Sequence, residues 1–127
     1  MAGDKWVLAS LGLPIAALAA GAVAGPPPAA AGQRLFQQRC AVCHTIRPGA
    51  PSGMGPNLAG VVGRVAGTAP AYAYSPALRA SRLTLDRAAL DQYLAGPTRK
   101  VPGSRMPIAV TDPAERAAIV AYLASGK

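Results

Sequence analysis

The 127 residues leave room for one small domain and not for two ordinary ones. Thirteen Lys and Arg stand against five Asp and Glu, a formal charge of +8, which draws a protein to anionic surfaces and says nothing about its fold. No helix-turn-helix, zinc-finger or RNA-binding pattern accompanies that charge, and the basic residues are scattered from Arg34 to Arg116, with Arg99 and Lys100 adjacent and no run interleaved with aromatics, which argues against a nucleic-acid partner. One Trp, one Phe and four Tyr are few large side chains for a core, and a domain of this size often needs a bridge, metal or cofactor to complete it.

In chain order, the first segment is a leader. After Asp4 and Lys5 the run from Trp6 to Ala24 carries no charge, and Ala22-Val23-Ala24 and Ala29-Ala30-Ala31 both fit the small-residue pattern of a signal-peptide cleavage site. The alternative is an uncleaved anchor facing the periplasm. The run has close to the ~20 apolar residues that a spanning helix needs, yet it is mostly Ala and Gly and holds Pro14. Residues 25–31, with Pro26-Pro27-Pro28, read as an extended spacer. Residues 32–127 form the folded domain.

Three helices are expected in that domain. The first begins near Gln33 and carries Leu35, Phe36 and Cys40 at helical spacing. The second follows Thr84 as N-cap, with Asp86 in its first turn, and ends at Gly96-Pro97. The third has the clearest start: Asp112 as cap, Pro113 at the first helical position, and Glu115 placed to reach back. Thr45 to Ser81 is rich in Gly and Pro without periodicity, an unusually long loop unless it packs on something.

The chemistry lies in Cys40-Ala41-Val42-Cys43-His44. A disulfide between cysteines so close would close a tiny loop and stabilise little. A thioredoxin-like dithiol expects a βαβ context, and a zinc site expects a second ligand pair; Cys40, Cys43 and His44 are the chain's whole stock of Cys and His. C-x-x-C-H is instead the attachment pattern of a c-type haem: two thiols pointing one way add to the two vinyl groups of the ring, and the adjacent imidazole reaches the iron. A thioether on the opposite face would raise the potential. Met54 and Met106 are the two methionines after Met1, and each could equally be a gap-filling side chain. Met54 lies close behind His44 and would have to leave that face of the ring, whereas Met106, in a loop between the second and third helices, can cover the far face; Met106 is therefore preferred.

From Gly32 to Leu123 the chain resembles the class I cytochromes c, in particular the bacterial homologues of the mitochondrial protein. The resemblance rests on the haem motif, Gly55-Pro56-Asn57-Leu58, the Pro102-Gly103-Ser104-Arg105-Met106 loop, Gly32 to Phe36 and the Ile119-Tyr122-Leu123 face. It implies an all-α cytochrome c fold, three main helices with long loops wrapped around one covalently attached haem. It further implies that the Pro56 carbonyl accepts the ring N–H of His44, that Arg64, Tyr74 and Ser104 bond or screen the propionates, and that Tyr93 donates to the Met106 sulfur. Where the family has a propionate-bonding tryptophan, this chain has Leu85.

The function so implied is electron carriage rather than catalysis: a soluble or tethered periplasmic protein shuttling single electrons between respiratory or photosynthetic complexes. Its partners would be redox proteins with acidic docking surfaces, such as a cytochrome bc1-type reductase, a terminal oxidase or a reaction centre. Rival readings are a haem peroxidase or ligand sensor with an open sixth site, and a structural role. The first lacks a distal acid–base histidine, since the one His is already a ligand.

Overall fold

The computed structural model describes residues 28–126; the leader and residues 25–27 of the spacer lie outside them. Among the described residues five helices follow one another: α1 (Pro28–Arg39), α2 (Pro76–Ser81), α3 (Arg87–Ala95), α4 (Pro97–Lys100) and α5 (Pro113–Ser125). None of them is long and apolar enough to cross a membrane. The β structure among these residues is an isolated antiparallel bridge between Val65 and Thr84.

α1 starts at Pro28, earlier than the expected Gln33, so the last four residues of the spacer are helical. The cause is local: Pro28 fits a first helical turn, where its missing N–H removes no bond, and three alanines follow it. α1 and α5 cross at close range because Gly32 has no side chain. An added Cβ would collide with the carbonyl of Ala118 and stand 2.7 Å from the Tyr122 Cβ. Next to the crossing, the Phe36 and Tyr122 rings lie 5.5 Å apart, tilted by 57°. Ile119 and Leu123 of α5 meet Phe36 of α1 and Leu90 and Leu94 of α3 in one buried cluster.

The capping of α5 is as expected on Asp112, whose Oδ1 accepts from the N–H of Ala114 at 2.7 Å. Glu115 does not close a box, because its carboxylate is held at 2.7 Å by Arg39 of α1. α3 corrects the expected cap. Thr84 is engaged in the bridge to Val65, with Leu85 N–H donating to Arg64 O and Gly63 N–H to Leu85 O. Asp86, two residues on, takes the cap by accepting from Ala89 N–H at 2.7 Å, and Leu85 precedes the helix instead of lying inside it.

The long segment after residue 45 is ordered by side chains bonding to backbone. Asn57 donates from Nδ2 to Arg47 O and Ala50 O and accepts at Oδ1 from Ala59 N–H. The segment also contains α2, absent from the expected elements. Ser75 caps it, accepting from Leu78 N–H at 3.1 Å, and Pro76 opens it. Arg82 ends it in the left-handed region, at φ 49°.

Candidate functional site

Loops and helices enclose a cavity of about 680 Å³, with α1, α3 and α5 forming its floor. The attachment motif enters at the end of α1. There the helical turn continues past Arg39: Cys40 N–H donates to Phe36 O, and both Cys43 N–H and His44 N–H donate to Cys40 O. This turn brings Cys40, Cys43 and His44 onto the cavity together. Cys40 and Cys43 are not joined to each other in a disulfide, and neither is fully buried nor fully exposed. Burial pushes the Cys40 thiol up, only partly countered by Arg39, the opposite of the lowered thiol that a redox dithiol uses. Among the described residues no group of three His, Cys, Asp or Glu forms a metal cluster, so the donor set of a zinc site is missing.

His44 is held from behind. Its Nδ1 lies 2.8 Å from Pro56 O, and since a carbonyl can only accept, Nδ1 carries the proton and Nε2 keeps its lone pair. Burial lowers the pKa of His44, with the Pro56 bond opposing that shift, so the neutral imidazole that can bind a metal is the favoured form. Gly55 lies flat against the ring: a Cβ there would stand 2.7 Å from Nδ1 and 2.8 Å from Nε2. Gly55 N–H donates to Cys43 O and thereby ties this support to the motif.

Met106 lines the cavity, half-buried and packed against the core cluster. Met54 borders it too, but the residue is 80% exposed; its carbonyl is held by the Tyr72 hydroxyl at 2.7 Å. Pro56, Arg64, Tyr74, Tyr93 and Ser104 all line the same cavity. Their bonds differ in part from the expectation. The Tyr93 hydroxyl pairs with Ser104 Oγ at 2.6 Å, a partner that the resemblance did not give it. Arg64 spends Nη1 on Ala59 O and Nη2 on Asn57 O, each at 3.1 Å, leaving a cation at the rim with donors to spare. Tyr74, 6% exposed, accepts from Ala69 N–H, so its own proton is free to donate. Burial raises the pKa of both Tyr74 and Tyr93, which keeps them protonated. Leu78 and Leu85 line this region as well; Leu78, on the unforeseen α2, is a second apolar side chain beside Leu85 that sequence reasoning missed.

A large apolar cavity, two thiols and an imidazole at one edge, and a tyrosine, a serine and an arginine along its lining suit a flat, hydrophobic, acid-bearing macrocycle. The site and the fold define a c-type haem protein. Residues 29–127 match the family model described as Cytochrome c. Cytochrome c2 of Rhodoblastus acidophilus is 46% identical over 105 residues, covering 82% of this chain and 95% of that protein. Cytochrome c2 iso-1 of Magnetospirillum molischianum is also 46% identical over 105 residues, 80% of this chain and 97% of its own. Among solved structures, cytochrome cH from Methylobacterium extorquens superposes with a TM-score of 0.71 at 45% identity, covering 76% of this chain and 97% of that one. The chain belongs to the cytochrome c family. It is an electron carrier with one covalently attached haem c, and its fold is the cytochrome c fold.

Proposed function

We propose that Cys40 and Cys43 bind the haem as thioethers, that His44 and Met106 are its axial ligands, and that the protein shuttles electrons outside the cytoplasm between larger redox complexes. The observation that carries the reading is the His44–Pro56 bond, which fixes an imidazole tautomer with Nε2 free beside the two thiols. When bound, the haem supplies a one-electron couple. The chain's own residues do the rest. Pro56 and Gly55 hold the imidazole in one orientation, and the apolar lining excludes water and favours the less charged, reduced state. Tyr74, Ser104 and Arg64 supply donors and a positive charge for the propionates. Leu78 and Leu85 offer none, which concentrates that work on Tyr74, Ser104 and Arg64.

Met106 is favoured over Met54 as the sulfur ligand because it is packed inward while Met54 faces solvent. With His44 and Met106 both available to hold the iron, no position would be left for a substrate, which favours a carrier over a peroxidase or sensor. The net charge of +8 suits fast, weak docking to acidic surfaces on a reductase and an oxidase or reaction centre. The leader would deliver the domain to the periplasm, by cleavage or as an anchor through residues 6–24.

The test compares Met106→Ala with Met54→Ala in the oxidised protein, reading the sulfur-to-iron charge-transfer band. Loss of the band in M106A and its retention in M54A is the expected result; the reverse pattern assigns the ligand to Met54 and overturns the reading.

A further inference from the structure

The segment that carries Met106 is fastened at both ends to α3, and its middle is not. At its start, Ser104 Oγ bonds Tyr93 of α3 at 2.6 Å. At its end, Val110, a buried residue, donates its N–H to Leu94 O of α3 at 2.8 Å. Between them, Arg105, Pro107, Ile108 and Ala109 are exposed, and the tie recorded there is a long 3.5 Å contact from Arg105 Nη1 to Ala73 O.

The second fastening is completed by Arg116. Its guanidinium folds back from the first turns of α5, donating from Nη1 to Val110 O at 3.0 Å and Thr111 O at 2.9 Å. Its Nε donates to Asp91 of α3 at 2.9 Å. The Arg116 side chain is 13% exposed and that of Asp91 42%, so the bonds to Val110 O and Asp91 are partly buried while the one to Thr111 O lies at the surface. A planar guanidinium can satisfy three acceptors on two elements together, which an ammonium on a flexible stem cannot.

We propose that Arg116 is a positioning residue for the axial sulfur: by joining Val110 and Thr111 to Asp91 it anchors the C-terminal end of the Met106 segment and sets how often Met106 leaves the iron. The inference rests on Met106 being a ligand. Three residues separate Met106 from Val110, a span short enough that slack at the anchor reaches the sulfur directly. Releasing the segment would break the Arg116 bonds to Val110 O and Thr111 O and leave the one between α5 and α3 in place, so the anchor acts on local opening and not only on global stability.

The experiment uses the oxidised holoprotein and imidazole as probe, since imidazole can occupy the sixth position only when the Met106 segment opens. Wild type is compared with R116Q, R116K and V120A, each under conditions where circular dichroism reports a fully folded chain. R116Q should bind imidazole about tenfold more tightly in apparent affinity, the factor expected from losing one charge-assisted hydrogen bond. R116K, which keeps the charge but cannot bridge both elements, should fall between. V120A trims a buried residue of α5 away from the cavity and should lower global stability without changing imidazole affinity. Should R116Q not fold, R116K and D91N carry the test, each with a smaller gain in affinity. Unchanged affinity in the Arg116 and Asp91 variants, or an equal gain in V120A, overturns the proposal. A wild type that lacks the sulfur charge-transfer band overturns the ligand assignment, and the inference with it.

Discussion

At Gly55 a methyl group would meet the imidazole ring of His44, within 2.7–2.8 Å of its two nitrogens. The ring cannot retreat without giving up its bond to Pro56 O. Gly55→Ala should therefore lower the fraction of chains that acquire haem several-fold, read as the haem-to-protein ratio, and destabilise what does form by about 1–3 kcal/mol, the usual cost of overpacking. A G55A protein with full haem content and unchanged stability would contradict the tight seating of His44. Tyr72 presents a smaller case. Its hydroxyl holds Met54 O next to Gly55, and its ring meets Tyr74 edge-on at 4.8 Å. Tyr72→Phe keeps the ring and removes the bond, so denaturant unfolding should show a loss of about 0.5–1.5 kcal/mol with the axial ligands unchanged in the absorption spectrum.

Helix ends explain which elements could be read from the chain alone. Asp112-Pro113 announces α5 because cap and first-turn proline sit side by side, and Asp112→Ala should cost about 1 kcal/mol in denaturant unfolding; no loss would mean that the cap bond to Ala114 N–H is replaced by water. Ser75-Pro76 is the same signal, and α2 was still not foreseen, because a helix this short has too few turns to show a hydrophobic period. The cap at Thr84 misled for a different reason. Thr84 and Asp86 are both good caps in isolation, and the choice between them is made by the pairing of Thr84 with Val65, distant in the chain. The cysteines and His44 were legible because a short motif and its chemistry define them, and Pro56 through the family resemblance of Gly55 to Leu58. The partners of Tyr93 and Arg64 were not, since several acceptors compete for each hydroxyl and guanidinium and only packing decides among them.

For the molecule as a whole, the scarcity of large side chains and the size of the cavity are one fact seen twice. α1 and α5 cross through Gly32, α3 closes the side, and a space of about 680 Å³ is left for the cofactor instead of for tryptophans and phenylalanines. Removing the haem should accordingly cost most of the tertiary order, seen as collapse of near-UV circular dichroism in a chain with both cysteines replaced by alanine. The positive charge acts at the same scale. Electron-transfer rates with an acidic redox protein should fall steeply as ionic strength rises and the screening length shrinks toward about 10 Å at 0.1 M; rates indifferent to salt would contradict docking through charge. The covalent haem at Cys40 and Cys43 is tested most directly by the intact mass of the exported protein under denaturing conditions. The predicted mass is that of a polypeptide carrying one haem that denaturation does not release, with the leader's fate read from the same value. A haem-free polypeptide mass would contradict it.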